Sequence, residues 1–230
     1  MNKYVASVSF GKDSLAMLLL ILEHNLPLDE VVFYDTGMEF KAIYNIRDKI
    51  IPILEEHNIK YTELKPKMPF EQKMYNYPHM SRKEKLKKGY GWCGGLCRWG
   101  TTEKTQTINK YLKNNVHQYV GIALDEPKRL ERLKGTNKSS PLAELGYTEK
   151  MALEYCHQKG FYWLENDIEL YDILDRVSCW CCRNKNLKEL KNYKKYLPNY
   201  YEKLIELEKI IDEPMKKPYY LMDRFGKKEK

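Results

Sequence analysis

Strand-like and helix-like stretches alternate from the start of this chain, and no other feature narrows its fold so far. Lys3 to Ser9 (KYVASVS) reads as a short buried strand, Asp13 to about Glu23 as a helix, and Val31 to Tyr34 (VVFY) as a second strand. The turn-prone Asp35-Thr36-Gly37 follows, then a helix from about Phe40 to Glu56 and a strand around Lys60 to Leu64. Such alternation predicts an α/β fold with a doubly wound, mostly parallel sheet.

Lys65 to Gly91 breaks the rhythm with Pro66, Pro69 and Pro78, then the basic run Arg82, Lys83, Lys85, Lys87 and Lys88. Residues 65–91 therefore read as a lysine-rich, mobile excursion. Regular structure resumes with a helix near Thr102 to Lys113, a strand at His117 to Ile122, a charged loop from Asp125 to Ser140 and a helix from about Thr148 to Lys159. Leu187 to Asp212 is helical around a break at Pro198. The expected division is an α/β domain over residues 1–182 and a helical C-terminal region over 183–230 with a basic tail.

A chain of 230 residues with 43% apolar and 13% aromatic content can bury a sizeable core, which excludes a disordered segment or a disulfide-stapled miniprotein. Its longest apolar run, Leu15 to Leu22, is well short of the ~20 residues that cross a bilayer. Charges flank that run and no small-residue cleavage site follows, so a cytoplasmic protein with no membrane partner is expected. Forty basic residues against 32 acidic give +8, a moderate excess that suits a nucleotide, a nucleic acid such as RNA, or another anionic substrate.

Ser9-Phe10-Gly11-Lys12-Asp13-Ser14 joins the first strand to the first helix. A glycine there lets backbone approach a phosphate, hydroxyls and main-chain N–H groups donate to its oxygens, and the helix N-terminus adds positive potential. The competing reading is an ordinary turn capped by Asp13 or Ser14. No Walker loop is present. Gly89-Tyr90-Gly91-Trp92-Cys93-Gly94 formally fits a dinucleotide fingerprint, but lysines precede it where a hydrophobic strand is needed.

The loop S-F-G-K-D-S resembles the pyrophosphate-binding loop of the adenine-nucleotide α-hydrolase superfamily, in particular its phosphoadenosine phosphosulfate (PAPS) reductase-like family. Further matches come in the family's order: Asp35-Thr36-Gly37, then Gly121 to Arg129 (GIALDEPKR), then Pro141-Leu142, then Arg176 to Cys182 (RVSCWCC). Ala123 stands where that family usually carries arginine, Pro127 replaces a serine, and Ser178 replaces a glycine. The resemblance implies a Rossmann-like sheet with ATP or a related adenine nucleotide, and Mg²⁺, at the carboxyl ends of the strands. Ser9, Phe10, Gly11, Lys12, Asp13 and Ser14 would then hold phosphates, Asp35, Thr36 and Gly37 would border the adenosine, and Gly121, Asp125, Glu126 and Arg129 would close over the reacting phosphates. Lys12 and Arg129 would be the catalytic cations. The bland reading of Asp125 to Arg132 is a solvated loop with surface ion pairs.

Cys93 and Cys97 (CGGLC) and Cys179 and Cys182 (CWCC) form two close pairs far apart in the chain. In a reducing cytosol four thiolates suit an iron–sulfur cluster or a tetrahedral Zn²⁺, and unmetallated thiols are the remaining reading. Family members with a [4Fe–4S] cluster resemble this layout, although the first pair here is C-x-x-x-C. Cys181 could replace a neighbouring ligand, and Cys156 reads as a core residue. The C-terminal glutamate-cysteine-glycine motif of sulfonucleotide reductases has no counterpart after Cys182.

The leading expectation is an enzyme acting at the α–β linkage of ATP, adenylating a substrate with pyrophosphate release, with sulfur transfer as a further step and a sulfur or electron donor as partner. The alternatives are a sulfonucleotide or oxyanion reductase, and a nucleotide-responsive nucleic-acid-binding module using the lysines of 83 to 88 and 185 to 195.

Overall fold

A computed structural model describes residues 3–80, 86–95, 97–112 and 116–226. The expected lysines and arginine at 82, 83 and 85 fall outside the described residues, as does the basic tail beyond 226.

Two compact units share the chain. The first takes residues 1–35, 41–65 and 105–164, and the second takes 36–40, 66–104 and 165–230. In the first unit β1 (Lys3–Val8), β2 (Glu30–Tyr34), β3 (Lys60–Leu64), β4 (Val116–Val120) and β5 (Lys138–Ser139) form one sheet in the order 3-2-1-4-5. Every neighbouring pair is parallel. This is the expected Rossmann-like, doubly wound sheet, and its order reverses between β1 and β4, where such sheets open a crevice for ligands.

The helices α1 (Lys12–Glu23), α2 (Lys41–Glu56), α3 (Lys104–Leu112) and α4 (Glu149–Gln158) cross between strands or cover them. Every residue of β2 is buried, as a strand covered on both faces must be. On one face Val5, Val32 and Tyr34 pack with Ile108, Leu112 and Val116. Along α1 the residues Leu15 to Ile21 are all buried, so the apolar run that is too short for a membrane is an internal helix, against which α4 also packs. No helix among the described residues is long and apolar enough to cross a membrane.

Glu30 is fully buried at the start of β2 and is held by four donors: Lys3 Nζ at 2.5 Å, Lys60 Nζ at 3.1 Å, Thr62 Oγ1 at 2.5 Å and Tyr111 OH at 2.6 Å. Burial pushes its carboxyl up, but those bonds overcome it and bring the pKa down to about 2.

The stretch from Asp125 to Ser140 is more ordered than a charged loop. It holds short helical turns at Pro127–Leu130 and Glu131–Leu133 and the edge strand β5, whose two residues pair with Gln118 and Tyr119. Two residues carry no periodicity, and a lysine-bearing edge strand reads as loop from sequence.

The second unit contains a hairpin of Pro78–Met80 with Leu86–Lys88, α5 (Leu187–Tyr196) and α6 (Pro198–Ile211). The helices meet at the expected break, with Pro198 in the first turn of α6. Asn186 and Glu189 cap α5 reciprocally. Glu208, buried in α6, accepts from the Met215 amide at 2.7 Å and the Leu221 amide at 2.8 Å, which anchors the C-terminal segment.

The compact units do not divide at residue 182 as expected. Tyr193 OH donates to the Trp180 carbonyl at 2.9 Å, and Arg183 reaches the carbonyls of Met215 and Trp92. These bonds join the cysteine block to the C-terminal helices, so the helices form a unit with residues 66–104 rather than an extension added after 182.

Candidate functional site

The loop after β1 turns sharply into α1. Phe10 takes φ of +56°, a left-handed conformation that costs a non-glycine residue of order 1–3 kcal/mol. Its ring is fully buried edge-on to Phe33, and its carbonyl accepts from Trp163 Nε1 at 2.7 Å. Phe10 therefore shapes the loop from inside, whereas the resemblance had grouped it with the nucleotide contacts. Ser14 ties the turn together: its Oγ accepts from the Ser9 amide at 3.1 Å and donates to the Gly11 carbonyl at 3.0 Å. Gly11 caps α1 with no side-chain bond to the first amides, so the capped-turn alternative is not what is built.

Gly121, at the end of β4, lies against this turn. A Cβ there would come within 2.7 Å of Ser14 Cα and 2.8 Å of its nitrogen, so only glycine lets the end of β4 approach the first turn of α1. Gly121 and the loop thus occupy the two sides of the sheet's switch point.

Lys12 is buried to 8% exposure and its ammonium bonds Asp13 at 2.8 Å and Glu149 at 2.7 Å. Burial pushes the Asp13 carboxyl up from its ordinary value, against the pull of Lys12. Asp125 accepts from the Glu149 amide at 3.0 Å, so it positions the first turn of α4. Arg129 pairs with Glu126 at 2.5 Å and is partly exposed. Asp35, at the end of β2, accepts from Tyr44 OH at 2.7 Å. Glu149 and Trp163 were missed by sequence reasoning: each is one polar or aromatic residue with no motif around it.

Thr36 and Gly37 fall in the second unit. Thr36 Oγ1 donates to Glu39 at 2.9 Å and lies 3.4 Å from Cys179 Sγ, so the turn beyond Asp35 contributes to the thiol site. Cys93, Cys97, Cys179 and Cys182 line one cavity of about 110 Å³, together with Cys181. A Cβ on Gly100 would sit 3.5 Å from Cys97 Sγ and 3.9 Å from Cys179 Sγ, which puts both pairs at one glycine. A hydrogen bond from Cys97 pulls the Cys93 thiol down to about 6 against burial, helped by the Arg98 amide and the charges of Arg98 and Arg183. Burial, then Glu39, pushes the Cys179 thiol up.

Among the described residues no three His, Cys, Asp or Glu side chains close on a single metal position. The thiols border a cavity rather than grip a point. Four thiols around one cavity are the donor set for an iron–sulfur cluster or a Zn²⁺ ion. Cys156 is fully buried under α1, its thiol 3.5 Å from the Lys12 carbonyl, as a core residue.

Two Methanocaldococcus jannaschii proteins of uncharacterized activity, MJ0066 and MJ0973, are 26% and 27% identical to the chain over 86% and 90% of its length. The chain spans 40% and 48% of theirs, less than half of either relative. A solved structure of the U34-tRNA thiolase NcsA from Methanococcus maripaludis with its [4Fe–4S] cluster overlaps 92% of this chain and 73% of its own, at a TM-score of 0.47 and 15% identity, too loose a likeness to carry its chemistry across. The model of the phosphoadenosine phosphosulfate reductase domain matches residues 3–143, which is more than half of the sequence. With the Ser9 to Ser14 loop and Gly121 meeting at the switch point of a 3-2-1-4-5 sheet, this chain belongs to the phosphoadenosine phosphosulfate reductase domain family.

Proposed function

We propose that the chain binds ATP at the loop after β1 and activates an acceptor oxygen as an adenylate, preparing it for sulfur transfer. The observation that carries the reading is the contact of Gly121 with the first turn of α1, which brings the two strand-end loops of the crevice to van der Waals distance at a helix N-terminus.

In this reading the acceptor oxygen attacks the α-phosphorus, the bond from that phosphorus to the bridging oxygen breaks, and pyrophosphate leaves with the electron pair. The amides at the start of α1 and the hydroxyls of Ser9 and Ser14 hold the leaving pyrophosphate. Lys12 moves from Glu149 to a phosphate oxygen and offsets the charge that develops there. Mg²⁺ would be carried largely by phosphate oxygens and water, with Asp13 as a carboxylate ligand. Arg129 is available at the rim once it leaves Glu126.

Cys93, Cys97, Cys179 and Cys182 would hold a [4Fe–4S] cluster, which when bound supplies a site for a sulfur atom or an electron. The chain's own part there is the cavity: Thr36 and Glu39 fix the Cys179 thiol, and Arg98 and Arg183 supply positive charge beside Cys93.

Product analysis with ATP decides the reaction. AMP and pyrophosphate are expected in the presence of the acceptor. ADP and phosphate as the main products would remove the reading, and sulfite release from a sulfonucleotide would replace it with the reductase.

A further inference from the structure

By sequence Lys185 opens the lysine run of 185 to 195, and such a run reads as a solvated face. Lys185 is instead only 3% exposed. Its amide donates to the Cys182 carbonyl at 3.2 Å, which closes the chain back on the cysteine block, and Asn186 then caps α5. The side chain held between these two fixed points turns inward. Its ammonium donates to the Arg176 carbonyl at 3.0 Å and stands 5.5 Å and 5.7 Å from the ring centres of Phe40 and Tyr193.

Removing an ammonium from water carries a penalty that one neutral carbonyl and two ring faces offset only in part. The carboxylate within ion-pair reach among the described residues is Glu189, but at 3.8 Å it lies beyond hydrogen-bonding distance. Its other oxygen accepts from the Asn186 amide at 2.7 Å in the helix cap. Burial works against the charge of Lys185; Glu189 favours it first, and Cys182, Cys179 and Cys181 after that. Neutral thiols offer an ammonium little. Four thiolates on Zn²⁺, or on an oxidised [4Fe–4S] core, leave a double negative charge in either case, and a buried cation answers it. Arg98 and Arg183 also carry positive charge beside Cys93, but Arg98 is exposed and Arg183 half-buried, so water screens them more than Lys185.

We propose that Lys185 is the internal counter-charge of the metal–thiolate centre: the fold buries a loosely paired ammonium beside the cysteine block because the loaded block is anionic. The proposal rests on the reading above that the four cysteines hold a metal centre. Lys185 acts through space rather than as a ligand, and Glu189 competes with the centre for the same charge. Metal and ammonium then stabilise each other by equal amounts.

Zn²⁺ is the probe, titrated anaerobically into the metal-free full chain against a chromophoric chelator at pH 7. Lys185→Met, which keeps the length and the apolar stem, should weaken Zn²⁺ binding by about tenfold. Glu189→Gln, which keeps the helix cap, should strengthen it severalfold. Lys188→Met, exposed on α5, should match the parent. Thermal melts of the metal-free variants show which still fold. The double variant of Lys185→Met and Glu189→Gln leaves no carboxylate buried alone, so its affinity, compared with that of Glu189→Gln, isolates the lysine where Lys185→Met fails to fold; it should be weaker by about tenfold. A Lys185→Met affinity within about twofold of the parent, or shifts of the same sign in the two single variants, would overturn the proposal and leave an ordinary buried ion pair that stabilises free and loaded protein alike. A parent that takes up neither Zn²⁺ nor iron refutes the metal-centre reading and the counter-charge with it. A parent that binds tightly, with variants that bind equally, refutes the counter-charge alone.

Discussion

Glu30→Gln removes a charge from the most heavily bonded buried carboxylate of the sheet while keeping its shape. A carboxyl that titrates at about 2 in the folded chain, against 4.5 for an ordinary glutamate, favours the folded state at neutral pH by about 3 kcal/mol, at about 1.4 kcal/mol per pH unit. Solvent reduces this because Lys3 and Lys60 are 47% and 61% exposed, so about 2 kcal/mol is a sounder figure. The folded pKa is depressed, so the contribution is complete above about pH 5 and is lost as the pH falls through 4.5 toward 2. Urea titrations of parent and variant at several pH values measure it, with unchanged m-values showing that the unfolding reaction is the same. The gap should be largest at pH 7 and close as acid protonates Glu30 in the parent. A gap that stays constant from pH 7 to pH 3, or one below about 0.5 kcal/mol at neutrality, would refute the account of Glu30 as a charged hub.

Gly121→Ala should cost about 2 kcal/mol or more in denaturant titrations and weaken ATP binding as well, because its Cβ meets Ser14 backbone at 2.7 Å; a parent-like variant would mean that the end of β4 and α1 need not touch. Lys12→Ala should weaken ATP binding by about tenfold, whereas Glu149→Gln should strengthen it severalfold at low salt by releasing the ammonium from one carboxylate. Calorimetry showing weaker binding by both variants would mean that Glu149 is itself a ligand of the nucleotide or its Mg²⁺. Replacing Cys93, Cys97, Cys179 or Cys182 by Ser should lower iron content and melting temperature together in anaerobically prepared protein, while Cys156→Ser keeps the iron. Full iron content in all four variants would show that the cavity is not the cluster site.

The sheet was legible because its strands announce themselves twice, by apolar runs and by turn residues, and because α1 and α2 fill the intervals at helix length. β5 was not legible, since two residues give no period and its partner lies about twenty residues upstream. At the site, the loop from Ser9 to Ser14 and Gly121 stood out by their resemblance to the family's motifs, whereas the backbone contact that requires glycine at 121 is visible only in the fold. The environment of Lys12 did not. Its partner Glu149 arrives from a helix far along the chain, and only tertiary packing brings the two within 2.7 Å. Thr36 and Glu39 show the same limit: the D-T-G turn could be read as a turn, but its threonine's thiol neighbour comes from residue 179.

The interleaved division of the chain has a consequence for its biosynthesis. Cys97 leaves the ribosome about 80 residues before Cys179, and the second unit cannot assemble until residues from 165 onward have followed. At about 5 to 20 residues per second that interval is roughly 4 to 16 s. Throughout it, Cys93 and Cys97 are present without the thiols that share their cavity. Slowing translation between residues 97 and 179 would lengthen their exposure to oxidants and to stray metal ions, whereas a chaperone or iron donor that engages the nascent chain would have its longest opportunity in the same interval.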